Sequence, residues 1–233
     1  MALIERSKGR RENQSDSGYT RLFGIKELGQ LFSRTHGASI SAGTELEKLI
    51  WERVRKITNF DEFIFHTTDL MQADAKEDGV WVARKEQIKK SKTINCTYEP
   101  DFLIFNPKER KCYIVEVKDG DQFDTKKASG EHTTLHNFNF QVSSALPYST
   151  EIRLCGFNAT NKDELWQGLK RKFSKNELWT GRELCDILKI NYDEIVRTRT
   201  NDQQSNLVYF VQELVKIKPI RNMIRKLLKK IPN

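Results

Sequence analysis

An α/β fold is predicted for this 233-residue chain by two patterns that alternate along it. Four apolar runs of strand length cover residues 79–83, 101–105, 112–118 and 151–157. Between them, residues 46–57 repeat apolar side chains at helical spacing, and Asp124 can cap a helix running toward Ala145, with Pro147 as its stop. Hydrophobic residues make up 37% of the chain and include 13 Phe and 4 Trp, enough for a packed interior and too many for a disordered chain. The length is about one and a half typical domains, so a core with additions is expected.

Taken in order, residues 7–17 are polar and aperiodic, which predicts a flexible arm, and a helix is expected over 22–32. Thr44 is followed three residues later by Glu47, and Leu46, Leu49, Ile50, Val54 and Ile57 follow at helical spacing, the pattern of a capping box opening an amphipathic helix. The runs at 101–105 and 112–118 flank a polar turn containing Asn106-Pro107-Lys108 and so predict a hairpin. Residues 44–157 therefore read as helix, three strands, helix, strand. The remainder reads as mainly helical: Thr180 and Glu183 form a second capping-box pattern, and helices are expected over 206–216 and 219–230, with Pro219 at a first helical position. The expected organisation is an arm and helix at 1–43, a core at 44–158 and a helical region at 159–233.

No apolar run approaches the roughly 18 residues needed to cross a bilayer, and the N-terminus lacks the apolar core of a signal peptide. Membrane and secreted classes are thus disfavoured. Cys96, Cys112, Cys155 and Cys185 lie far apart and form no CxxC pair, which argues for reduced thiols in the cytoplasm. The 40 Lys and Arg against 32 Asp and Glu leave a net charge of +8, favouring a polyanionic partner. Residues 216–230 carry seven basic side chains and no acidic one, on a stretch whose apolar residues Ile220, Met223, Ile224, Leu227 and Leu228 are expected to pack on the core. DNA contact is the simpler account of that basic stretch, with a membrane surface as the alternative.

The chemistry concentrates on Asp101, at the start of one strand, and on Glu116 and Lys118, near the end of the next. Strand periodicity sets Glu116 and Lys118 on one face and turns Val117 to the other. Two carboxylates that hold a hard cation such as Mg²⁺, with a lysine to orient or deprotonate water, form the set that metal-assisted phosphodiester hydrolysis requires. The residues Pro100-Asp101 and, after fourteen more, Glu116-Val117-Lys118 resemble the PD-(D/E)xK nuclease superfamily, and the order of elements over 44–157 agrees with its restriction-endonuclease-like core, a mixed sheet flanked by helices.

That resemblance implies Asp101 and Glu116 as metal ligands, the carbonyl of Val117 as a third, and Lys118 as the water-activating residue. Glu47, and less well placed Glu45, are candidates for the auxiliary carboxylate that several members supply from the first core helix. The size, without helicase or zinc additions, is similar to that of a type II restriction endonuclease. This implies a Mg²⁺-dependent homodimer cutting a short sequence in double-stranded DNA, leaving 5′-phosphate and 3′-hydroxyl ends, and paired with a DNA methyltransferase. A repair or junction-resolving nuclease of the same fold, or a non-catalytic DNA-binding module, are the alternatives.

Candidate DNA contacts are Lys126 and Lys127 in the first turn of a helix, where a phosphate would be met by positive charge. To these are added Arg197 and Arg199 in an expected loop, and Arg225, Lys226, Lys229 and Lys230 in the basic C-terminal stretch. His132 and His136 stand four apart and could share a metal, but they lack the His-Glu-x-x-His order, so a zinc site is not expected there.

Overall fold

The structure, a computed structural model, describes residues 2–9, 17–67, 79–94, 96 and 98–230. Most of the arm expected over 7–17 lies outside them. Five strands pair in chain order as one sheet: β1 (Trp81–Arg84), β2 (Phe102–Asn106), β3 (Lys111–Lys118), β4 (Ser149–Gly156) and β5 (Leu178–Thr180). The first two pairings are antiparallel and the last two parallel, so the sheet is mixed. The helices are α1 (Gly18–Phe23), α2 (Lys26–Trp51), α3 (Phe60–Phe65), α4 (Lys85–Lys90), α5 (Thr125–Val142), α6 (Lys162–Gly168), α7 (Gly181–Leu188), α8 (Tyr192–Lys216) and α9 (Lys218–Leu228).

Local chemistry explains these boundaries. The β2–β3 hairpin turns at Asn106, whose side chain accepts a hydrogen bond from the Glu109 amide at 3.1 Å. The parallel step from β3 to β4 needs a crossover, and α5 supplies it. Asp124 caps α5 by accepting from the Lys127 amide at 2.8 Å. The capping box at α7 forms as well, with the Thr180 amide donating to Glu183 Oε2 at 2.9 Å.

Four expectations are corrected. The helix placed over 22–32 is interrupted at Gly24, which ends α1 in the left-handed conformation (φ 66°) that glycine adopts most readily. From Lys26, α2 runs unbroken through Thr44, so that threonine lies mid-helix and opens no capping box. Leu46, Leu49 and Ile50 are buried on α2, but Val54 and Ile57 lie past its end. There Val82 donates to the Arg55 carbonyl at 2.9 Å and accepts from the Ile57 amide at 2.8 Å, laying a short extended stretch beside β1. In the C-terminal region, α8 starts at Tyr192, with Asp193 and Glu194 favouring its positive end, so Arg197 and Arg199 are helical rather than in a loop. Finally, α9 leaves Met223, Leu227 and Leu228 exposed instead of packed on a core.

The chain forms two compact units. One comprises Met1–Leu46 and Asp193–Asn233. It is tied by Asn206, which accepts from the Ile4 amide at 2.8 Å and donates to the Ala2 carbonyl at 2.9 Å, and by Arg34, which donates to Tyr209 at 2.8 Å. The other, Glu47–Tyr192, contains the whole sheet. It extends beyond residue 158 because β5 adds to the sheet and α6 and α7 follow with it. On one sheet face, Ala83, Leu103, Phe105, Ile114, Ile152 and Leu154 meet α3 through Phe60 and Phe63, and α5 through Leu135, Phe138 and Val142, while Val82, Phe102, Ile104 and Val115 are buried on the other. No helix of the described residues is long and apolar enough to cross a membrane.

Asp61 on α3 ties down the segment that follows α4. Its carboxylate accepts from the Ser91 hydroxyl at 2.6 Å and from the amides of Lys92 and Thr93 at 2.9 and 3.1 Å. These donors, Ser91 foremost, hold Asp61 well below the ordinary aspartate value of 3.8. A carboxylate depressed in the native state contributes stability above its unfolded pKa and loses it as pH falls through the native one. Asp61→Asn is therefore expected to cost about 1–2 kcal/mol at neutral pH, with the difference from wild type shrinking steadily below pH ~4. Urea unfolding of both proteins across that range checks it, and a difference independent of pH would remove the charge from the explanation.

Candidate active site

Register brings the candidate residues together. Phe102 stands opposite Val115 on one side and Arg84 on the other. One step back along the chain, Asp101 consequently faces Glu116 on β3 and Lys85, the first residue of α4. Asp101 Oδ2 accepts from the Val117 amide at 2.8 Å, and Oδ1 accepts from Lys85 Nζ at 2.6 Å. Lys85 also pairs with Glu47 Oε2 at 3.1 Å, which draws that α2 carboxylate to the cluster. Beside it, Lys118 Nζ donates to Glu116 Oε1 at 2.7 Å and pairs with Glu131 Oε1 of α5 at 2.7 Å. The Tyr98 hydroxyl donates to Glu116 Oε2 at 2.6 Å.

Burial makes this cluster electrostatically tense. Asp101 is 3% exposed and Glu116 7%. Burial first, and then the charge of Asp101, raises Glu116 above its ordinary value, against the pull of Lys118 and Tyr98. Glu47 is raised by the same two causes, with Lys85 opposing. For Lys118, burial would lower the value, but Glu116 and Glu131 outweigh it and hold the ammonium above the ordinary lysine value. Lys85 is held up in the same way by Asp101 and Glu47. Burial and Glu116 raise Tyr98, so it stays a neutral donor.

The other sequence candidates divide. Glu45 does not join this cluster but lines a recess in the first unit with Arg6, Ser41 and Asp202. Lys126 and Lys127 are exposed in the first turn of α5 and, with Tyr98, Glu131 and Thr134, line an open recess of 510 Å³. Arg197 is exposed, whereas Arg199 is 4% exposed and turned to the interior, which corrects its assignment to an accessible loop. Arg225, Lys226, Lys229 and Lys230 are all exposed.

Three members of the cluster were missed in the sequence. Lys85 had a signal in the β1–β2 pairing, had its register been drawn. Glu131 and Tyr98 had none, since they arrive through the crossover helix and the irregular segment before β2. Because Tyr98 lowers Glu116, Tyr98→Phe is expected to move the Glu116 titration to higher pH, as read by ¹³C NMR of the side-chain carboxyl. An unmoved midpoint would mean that the hydroxyl does not support the carboxylate.

No protein-family model and no solved structure matches the chain. The chain is similar to the type II restriction enzyme HhaII of Haemophilus parahaemolyticus, with 40% identity over 230 residues that cover 97% of this chain and 99% of that protein. Similarity at that level along nearly the full length of both chains is a family relation, and the chain belongs to the type II restriction enzymes, the site-specific restriction endonucleases.

Proposed function

We propose that this restriction enzyme hydrolyses both strands of double-stranded DNA at a short specific sequence with Mg²⁺, through a PD-(D/E)xK site built from Asp101, Glu116, the Val117 carbonyl and Lys118, with Glu47 as the auxiliary carboxylate, leaving 5′-phosphate and 3′-hydroxyl ends. The observation that carries this reading is the convergence of Asp101, Glu116 and Lys118 at adjacent strand ends of one sheet.

The donor set fits a divalent cation of the hard, oxygen-preferring kind. Asp101, Glu116 and Glu47 supply carboxylate oxygens, and the raised values of Glu116 and Glu47 mark a cluster short of positive charge. Such an ion, when bound, supplies acidification of water and stabilisation of charge on the phosphate. Lys118 is held between Glu116 and Glu131, 2.7 Å from each, and from there its part is to orient the attacking water. Glu131 fixes where that ammonium points. The Val117 amide orients Asp101, and Tyr98 orients Glu116. Lys126 and Lys127, beside the recess shared with Glu131, are suited to receive the phosphodiester backbone. In the other unit, Arg197, Arg225, Lys226, Lys229 and Lys230 are exposed cations suited to phosphate contacts of their own. The enzyme is read as a cytoplasmic homodimer, since two copies of one site cut two strands most simply, and as the companion of a DNA methyltransferase.

Asp101→Asn, Glu116→Gln and Lys118→Met are each expected to lower cleavage about a hundredfold or more while leaving the far-ultraviolet spectrum intact. Plasmid digestion in Mg²⁺ is the test, with Ca²⁺ supporting binding but not cutting. Near-normal cutting by any of the three variants overturns the site.

In gel shifts, reversing charge at Arg225, Lys226, Lys229 and Lys230 is expected to weaken cognate and noncognate binding alike and to flatten the log–log salt dependence by about one unit per lost phosphate contact. Sedimentation of the cognate complex is expected to give two chains per duplex. An unchanged salt slope would assign α9 to solvent alone, and one chain per duplex would remove the dimer.

A further inference from the structure

On α5, one residue on from Glu131, a second cluster shares no residue with the carboxylates of the candidate active site. His132 and His136 lie one helical turn apart with ring centroids 4.2 Å from each other. Glu177, from the turn that leads into β5, brings its Oε1 to 3.2 Å from His136 Nε2. One donor atom from each of the three side chains lies within 4.8 Å of the other two. In a tetrahedral zinc site with bonds of about 2.0–2.1 Å, neighbouring donor atoms are about 3.3 Å apart. The His136–Glu177 pair already has that spacing, and a donor atom of His132 lies within 4.8 Å of both.

The surroundings orient these groups toward one another. Glu177 Oε2 accepts from the Ser174 amide at 2.7 Å, which fixes the carboxylate with Oε1 toward the histidines, the kind of supporting hydrogen bond that orients a metal ligand. The Phe173 ring stands edge-on to His132 at 5.0 Å and restrains the imidazole. His136 and Glu177 remain open to solvent on one side, leaving room for water as a further ligand.

We infer that His132, His136 and Glu177 form a binding site for a divalent transition metal of the zinc class, distinct in place and in ligand chemistry from the oxygen-donor cluster around Asp101 and Glu116. Two imidazoles and one carboxylate suit Zn²⁺ and Co²⁺ and discriminate against Mg²⁺ and Ca²⁺. The bound metal links α5 to the turn before β5 and so stiffens the helix that carries Glu131.

The test uses the full chain, stripped with chelator and titrated calorimetrically with Zn²⁺ in millimolar Ca²⁺, which occupies oxygen-only sites. One Zn²⁺ per chain is expected, with a rise in Tm and, for Co²⁺, visible absorption bands of a low-symmetry nitrogen and oxygen site. His136→Gln, at the exposed end, is expected to weaken Zn²⁺ at least tenfold and to abolish the Tm rise. His132→Asn is expected to do the same, and should that variant not fold, His136→Gln carries the test. Asp101→Asn is expected to bind Zn²⁺ as wild type does, so failure of the catalytic reading leaves this result untouched. Unchanged affinity in His136→Gln, lost affinity in Asp101→Asn, or no binding near one per chain overturns the site.

Discussion

Everything at the end of the sheet that carries the ionic cluster follows from the need to bury Asp101 and Glu116 side by side. Two carboxylates at neighbouring strand ends repel one another and lose hydration, and a protein tolerates this only if compensating charge is built around them. Here the compensation is arranged in a chain: Glu47, Lys85, Asp101, then Glu116, Lys118, Glu131, with an ammonium set beside each buried acid. The compensation is incomplete, because Glu47 and Glu116 still favour their protons more than ordinary glutamates do. Their ionisation therefore works against folding: the stability they contribute is full below the ordinary glutamate range and is lost as pH rises through the raised values. A structure that keeps such acids at the end of an otherwise apolar sheet retains them for something other than stability.

Much of this was legible in the sequence, and the reason is local. Strands that are buried on both faces read as continuous apolar runs, so the four runs at 79–83, 101–105, 112–118 and 151–157 fell on β1 to β4 with shifts of one or two residues at their ends. A polar residue that ends such a run stands out, which is why Asp101, Glu116 and Lys118 could be picked before any contact was known. The N-caps at Asp124 and Thr180 were equally readable, since a cap is a contact between residues three apart.

What failed was whatever depended on longer range. Thr44 and Glu47 have the spacing of a capping box, but α2 had started eighteen residues earlier, and a helix already under way uses the amides that a cap would satisfy. The three-residue strand β5 was too short to give a periodic signal. Arg199 was read as accessible because its segment is polar, whereas one face of α8 turns it inward. Glu131 and Glu177 reach their partners across the fold, and no spacing rule connects them to Lys118 or to His136. In each case the missing information was which surfaces meet.

The short extended stretch at Arg55 to Ile57 has a consequence for how copies of this chain can associate. An open sheet exposes unpaired amides and carbonyls along its two border strands, and these are templates for uncontrolled strand addition. One border is β1, whose Val82 amide and carbonyl are both taken by that stretch. The other is β5, which offers only three residues. Among the described residues both borders thus offer little template for strand addition, which favours self-association through side-chain surfaces, where shape and charge select the partner.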